Sequence, residues 1–245
     1  MAHMVDLHAH FLPALDDGPD TLETCLAMLR FLHDEMGFSE VSATPHQYPG
    51  MYLPSLDDIK VAFDHVSREA AVIHPGLQLH LGAENLWDDL LLDRRRRNEI
   101  PCYDNGKAFL FEIPPASMPS LLEASLFDLR VSGRLPVMAH PERYGAIQTD
   151  MALAEKLSRQ AVFLVDLAAL SGRGSRTEVK TARRLIEEGL AHAAASDMHD
   201  LADAQAVADG VTWIKKRLGE ETLTRLLDDN PRRILLGQFP EAIAP

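Results

Sequence analysis

The chain has 245 residues, 46% of them hydrophobic, and 24 basic against 37 acidic side chains give a formal net charge of −13. That balance argues against nucleic-acid binding, which needs a basic face for phosphates, and no apolar run approaches a membrane span, so membrane insertion is not expected. Two cysteines, Cys25 and Cys102, make no disulfide framework and point to a reducing cytoplasm. The N-terminus lacks the pattern of a secretory signal, and Met1-Ala2-His3 reads as a cloning remnant ahead of Met4.

Strands are predicted at 4–8, 39–44, 77–83, 108–113, 135–139, 161–166 and 191–196, with helical patterns between them. Asp20-Thr21-Leu22-Glu23 reads as a capping box, followed by Leu22, Leu26, Leu29 and Phe31-Leu32 at helical spacing, with Gly37 as the stop. A second helix is predicted from Ser55 to about His74. Others follow near 86–97, 119–132, 151–159, 175–189, 200–218 and 220–229. Asn230 to Gly237 reads as a short closing helix with Pro231 at its start. The Pro-rich stretch 114–119 reads as a loop. Strand-helix alternation implies an α/β fold of parallel strands with covering helices. About seven strands suit a barrel, and no Gly-x-Gly-x-x-Gly follows the first strand to suggest a dinucleotide fold. Without repeats or a linker, one domain over 4–240 is expected.

Ionisable residues gather at the C-terminal ends of the strands, where parallel barrels place their active sites. Nine form the ligand hypothesis: His8, His10, Asp17, His46, Glu84, Glu112, His140, Asp197 and His199. Residues two apart on a strand share a face, so His8 with His10, and Asp197 with His199, each make a pincer. Spacing does not separate Asp16 from Asp17, and one of them can simply turn the loop before Gly18. Five imidazoles and four carboxylates without thiolates suit two or three ions of Mn²⁺, Fe²⁺ or Zn²⁺. Three such ions against four carboxylates leave a charge of about +2, which complements a phosphate dianion. Metals also lower the pKa of water toward neutrality, supplying a hydroxide nucleophile without a covalent intermediate. Arg143 is placed to grip phosphate bidentately, and Arg173, in a Gly-flanked loop after the sixth strand, is a second candidate. The remaining histidines, at 3, 33, 65, 74, 80 and 192, are expected to be packing or surface residues. The run Arg94 to Arg97 reads as a solvated helix end, with docking of an acidic partner as the alternative.

Neither cysteine fits a thiolate phosphatase, which needs an arginine six residues on, because Phe31 and Ala108 stand there. Neither a Gly-x-Ser-x-Gly elbow nor a Gly-x-x-x-x-Gly-Lys phosphate loop occurs.

Seven ordered motifs carry a family resemblance: His8-Ala9-His10, Asp16-Asp17-Gly18, Ala43-Thr44-Pro45-His46, Leu81-Gly82-Ala83-Glu84, Phe111-Glu112-Ile113-Pro114, Ala139 to Tyr144, and Ser196-Asp197-Met198-His199. Together they resemble the PHP (polymerase and histidinol phosphatase) superfamily, most of all its bacterial CpsB/YwqE-type protein-tyrosine phosphatases, from about residue 4 to Pro231. The resemblance implies a distorted (β/α)7 TIM-like barrel with a trinuclear centre, manganese being the favoured metal. One ion would be held by His8, His10, Glu84 and Asp197, a second by Glu84, Glu112 and His140, and a third by Asp17, His46 and His199. Carboxylates at Asp17 and Glu112, where other branches carry histidine, point to the tyrosine-phosphatase branch. The implied partner is a bacterial tyrosine kinase with a Tyr-rich tail that controls capsule or exopolysaccharide export. That branch usually has an arginine soon after Ser-Asp-x-His, but Asp200 to Gln205 contains none, and the loop Gln47 to Tyr52 has no basic residue. Phosphate recognition would then fall to the metals, Arg143 and Arg173. His46, His199 or a metal-bound water would protonate the leaving group, while Tyr48, Met51, Tyr52 and the 114–119 loop would pack on the substrate ring. The alternatives are a histidinol-phosphatase-like phosphomonoesterase, a nuclease, or a non-catalytic binding scaffold.

Overall fold

The computed structural model describes residues 3–114 and 117–240. Pro115 and Ala116, within the expected 114–119 loop, and residues 1, 2 and 241–245 lie outside the described residues. Two parallel sheets make up the barrel wall. The first has the order β1 (Met4–Ala9), β2 (Phe38–Ala43), β4 (Gln78–Leu81). The second runs β3 (His46–Gln47), β5 (Glu84–Leu86), β6 (Ala108–Glu112), β7 (Leu135–Ala139), β8 (Val162–Asp166), β9 (Ala193–Ala195). The sheets are joined at both seams. At one, the amide of His10 donates to Met198 O and that of Asp197 to His8 O, both at 2.9 Å; at the other the chain itself runs on from sheet to sheet, the ladder continuing as Gly82 donates to Ala43 O at 2.8 Å and Glu84 to Pro45 O at 3.1 Å.

β3 thus prolongs β2, and β5 prolongs β4, so among the described residues nine strands form the seven staves expected from sequence. The breaks have local causes. Pro45 has no N–H to give the ladder, and Gly82 admits the Tyr103 ring, whose Cδ1 would lie 3.0 Å from a Cβ there.

Helices cover the outside. α1 (Leu22–Arg30) starts on Thr21, whose hydroxyl accepts from the Thr24 amide, and passes into a π-helical turn Phe31–Glu35. α2 (Leu56–Ile73) and α3 (Asp89–Arg97) are capped in the same way by Ser55 and Asp88. α4 (Leu122–Val131), α5 (Gly145–Thr149), α6 (Met151–Ser158), α7 (Leu167–Ser171) and α8 (Arg176–Glu187) follow, the last behind a complete Ser175–Glu178 capping box. α9 (Ala204–Thr224) breaks at Gly219, where φ is +88°, the expected boundary between two helices. α10 (Asn230–Leu235) closes the chain. The short helices α5 and α7 lack the length to leave a periodic trace in the sequence. Gly210 of α9 is required by packing, because a Cβ there would sit 2.1 Å from Leu167 O of α7.

Alternation along the staves separates two cores. Leu110, Val137, Leu164 and Ala195 pack inside the barrel, whereas Phe109, Phe111, Met138 and Phe163 pack outward under the helices. On β1 the rule bends. Val5 and Leu7 join the inner cluster and Ala9 the outer one, across a pairing irregularity between Asp6 and Ala9. That change of face brings both His8 and His10 to the mouth.

Candidate active site

The nine residues singled out from sequence all lie at the C-terminal ends of the staves or in the loops just beyond them. His8 Nε2 is 3.0 Å from His10 Nε2, 3.1 Å from Asp197 Oδ1 and 3.5 Å from Glu84 Oε2. His10 Nε2 is 3.4 Å from Glu84 Oε2 and 3.7 Å from Asp197 Oδ1. Ligands about 2.1 Å from one tetrahedral ion stand roughly 3.4 Å apart, so His8, His10 and Glu84 have the spacing of a coordination shell, with Asp197 beside both histidines. Glu84 continues the cluster, with Oε1 2.9 Å from His140 Nε2 and Oε2 3.0 Å from His46 Nδ1.

Glu112 stands beside His46, its Oε1 lying 3.4 Å from His46 Nδ1, and groups with His46 and Glu84. His46 Nε2 faces Asp17 Oδ1 at 3.5 Å, and His199 Nε2 approaches the same oxygen at 3.4 Å. His46 thus turns Nδ1 toward Glu84 and Glu112 and Nε2 toward Asp17. Buried His46 Nδ1 and Glu112 Oε1 make no aligned hydrogen bond. Donor atoms converging without aligned hydrogen-bond geometry suit a shared cation, which binds once the rings are neutral. The donor set therefore fits divalent metal ions, with His10, Asp17, His46 and His199 forming one group and His46, Glu84 and Glu112 another.

Outer residues orient this cage. Asp16 accepts from His10 Nδ1 at 2.8 Å, from the His46 amide at 3.0 Å and from the Gly18 amide at 3.0 Å. The spacing ambiguity resolves into two places: Asp16 holds a ring from behind, and Asp17 faces the cleft. Gly18 has no room for a side chain, since a Cβ would lie 2.3 Å from His10 O. His140 Nδ1 lies 3.3 Å from the Tyr144 hydroxyl, which itself donates to Ala139 O. His199 Nδ1 donates to Asp197 O at 2.8 Å. Each of these partners leaves Nε2 for the cage.

Two ligand candidates sit in the left-handed region, His140 at φ +34° and Asp197 at φ +48°. Each immediately follows a stave or its exit, and the strained backbone turns the side chain back over the mouth. Strain of this kind costs on the order of 1–3 kcal/mol and concentrates at functional sites.

Charge coupling is strong. Burial would lower His10, but its bonds to Asp16 and Glu84 lift it to about 10. Burial would likewise lower His46, yet Glu112 and Glu84 hold it at about 11. Burial acts against the Asp197 carboxylate, and the charges of His8 and Arg143 overcome it and keep it well below the usual range. Burial, with the charge of Asp166, pushes Glu142 up to about 8 against the pull of Arg143.

Above the cage lies a cleft of about 520 Å³ lined by Tyr48, Met51, Tyr52, Arg143 and Arg173 together with the ligand candidates. A smaller hollow of about 260 Å³ shares Arg143, Arg173, Asp197 and His199 and runs toward Asp166. Tyr52 stacks on His46 with ring centroids 5.9 Å apart. Arg143 donates to Asp166 and Asp197, and Arg173 donates to Asp203 at 2.5 Å. Asp166 and Asp203 were not singled out from sequence. Asp166 ends a stave just as Glu112 does, and the same strand-end rule would have found it. Asp203, on a 3₁₀ turn, carries no comparable signal.

Residues 4–236 match the family described as capsular polysaccharide synthesis, CpsB/CapC. The chain is 27% identical to tyrosine-protein phosphatase CpsB of Streptococcus agalactiae serotype V, covering 96% of this chain and 100% of the relative. It is 29% identical to tyrosine-protein phosphatase YwqE of Bacillus subtilis, covering 96% and 92%. Among solved structures, one of YwqE from Bacillus subtilis and CpsB from Streptococcus pneumoniae, described as unique metal-dependent tyrosine phosphatases, superposes with a TM-score of 0.86 at 25% identity, over 99% of this chain and 100% of that one.

Proposed function

This chain belongs to the CpsB/CapC capsular polysaccharide synthesis family, and we propose on that footing that it is a metal-dependent tyrosine-protein phosphatase using the barrel-mouth cage as its active centre. The observation that carries the reading is the convergence of His8, His10 and Glu84 at ligand spacing, with Asp197 beside both histidines, beneath a cleft with two arginines. Divalent ions there would supply Lewis acidity and an activated water near neutral pH.

The side chains supply the rest. Four carboxylates, Asp17, Glu84, Glu112 and Asp197, set the charge of the loaded centre so that a phosphate dianion is held without excess attraction. Arg143, two-fifths exposed, meets a phosphate oxygen from the side of Asp197. Arg173 stands farther along the same cleft. Tyr48 and Tyr52 flank the path of an aromatic ring, and their backbones lock each other by reciprocal hydrogen bonds at 2.7 and 3.0 Å. His46 and His199 border the cleft but turn their ring nitrogens into the cage as ligands, so the proton that tyrosinate takes up would come from solvent at the cleft.

We take the physiological substrate to be phosphotyrosine in the Tyr-rich tail of a bacterial tyrosine kinase, dephosphorylated in the cytoplasm, and manganese to be the native metal. The family's link to capsule synthesis and the naming of its relatives support a phosphotyrosine-bearing protein as the substrate. None of the described helices is long and apolar enough to cross a membrane. Turnover of phosphotyrosine peptide, phosphoserine peptide and histidinol phosphate on metal-quantified protein, with Mn²⁺, Fe²⁺ and Zn²⁺ compared, tests the reading. Preference for phosphotyrosine peptide supports it, and preference for histidinol phosphate overturns it.

A further inference from the structure

A second cluster of ligand-type side chains lies away from the cleft. His33 and Asp34 sit in the π-helical turn Phe31–Glu35 after α1, and His74 ends α2. Helices of such a barrel run opposite to its strands. The C-terminal ends of α1 and α2 therefore lie at the foot of the barrel, the end remote from the mouth. One ligand atom from each of His33, Asp34 and His74 lies within 4.8 Å of the other two.

Three further observations bear on what holds these groups together. His33 Nδ1 is 2.8 Å from Phe38 O, which fixes the proton on that nitrogen and leaves a lone pair on Nε2. A ring held from behind by a backbone carbonyl is the usual arrangement of a metal-ligating histidine. His74 is 94% buried (6% exposed), its Nδ1 3.4 Å from Asp34 Oδ1, yet its buried Nε2 has no hydrogen-bond partner. Structural histidines elsewhere in the chain are satisfied differently. His80 spends both nitrogens on Asp104 and Glu40 at 2.8 and 2.9 Å, and His192 Nδ1 accepts from the Phe163 amide. Finally, the Asp34 side chain is 44% exposed, so solvent reaches the cluster, and while its Oδ2 lies 3.6 Å from Arg30 Nε its Oδ1 faces His74. The π-turn widens the backbone where both His33 and Asp34 are presented, a feature common at functional positions.

We propose that His33, Asp34 and His74 form a separate divalent-cation site at the foot of the barrel. Two imidazoles and one carboxylate suit zinc or a similar borderline cation, with solvent completing the shell. Its occupancy ties the end of α1 to the end of α2 and leaves the chemistry at the mouth untouched. The site does not depend on the phosphatase reading.

The test is equilibrium dialysis of the full chain against Zn²⁺, with bound metal counted per chain by elemental analysis, for wild type, Asp34→Asn and His74→Asn. Asp34 is half exposed, so D34N reports even where H74N fails to fold. The expected result is one zinc equivalent lost in either folded variant, with manganese-supported phosphotyrosine turnover unchanged. Zinc equivalents equal to wild type in both variants would overturn the proposal, as would loss of the equivalent together with loss of that turnover.

Discussion

Arg143 Nη2 donates to Asp197 Oδ2 at 2.5 Å, while the other oxygen of that carboxylate lies 3.1 Å from His8 Nε2. The residue that the sequence casts as a phosphate clamp also holds a ligand carboxylate in place. The second acceptor, Asp166 at 2.8 Å, fixes the guanidinium from the other side.

Arg143→Ala is therefore expected to do two things. It should raise KM for phosphotyrosine and weaken metal retention about 10–100-fold, the usual range for losing an outer partner of a ligand. Competition with a chelator measures the second effect. Unchanged metal affinity would confine Arg143 to the substrate.

Asp16 never reaches the cleft, yet it accepts from both His10 Nδ1 and the His46 amide. Asp16→Asn keeps the shape and removes the charge that makes His10 a strong donor. A fall in metal affinity of about 10–100-fold is expected, with little change in KM on fully loaded protein. Wild-type affinity in the chelator titration would show that the ring needs no such support.

Metal loading must displace protons. In the metal-free chain His10 is lifted to about 10 and His46 to about 11, so both rings are imidazolium at pH 8. A cation binds only their neutral forms. Loading at pH 8 should therefore release protons, and apparent affinity should climb as pH rises through neutrality. Calorimetry in two buffers of different ionisation enthalpy reads the number directly, and identical heats would refute the coupling.

His192 provides a pH signature far from the metals. Burial pushes its pKa down to about 4 from 6.5, with the charge of Arg130 adding to the effect. The native state thus resists a proton that the unfolded chain accepts. The stability this gives is fully present above pH 6.5 and is lost as pH falls toward 4. His192→Asn keeps an acceptor for the Phe163 amide and removes the titration. Its stability should fall about 2–4 kcal/mol less than wild type between pH 7 and 4, measured by urea unfolding. Parallel curves would contradict the assignment.

Much of this architecture was legible because strand and helix periods differ. The run at 135–139 coincides with β7, and Gly219 marks the break in α9. Caps at Ser55 and Ser175 were equally local signals. The gathering of the nine residues was readable because parallel staves collect their C-terminal ends at one mouth, so distant motifs become neighbours. Relations set by tertiary contact left no local trace. The positive φ of His140 and Asp197, the turn of His46 between Glu84 and Glu112, and the pairing of Arg173 with Asp203 are of that kind. Asp16 and Asp17 show the boundary well: adjacent and chemically identical, they part only when His10 is folded above them.

On the proposed function, the barrel-mouth cage is where phosphotyrosine is hydrolysed. His140 touches both Glu84 and the supporting Tyr144 hydroxyl and lies at the end of β7. The most direct measurement is turnover of a phosphotyrosine peptide by His140→Ala beside wild type, both metal-quantified and both checked for fold by circular dichroism. The account predicts background turnover from a folded variant. Turnover near that of wild type would contradict it.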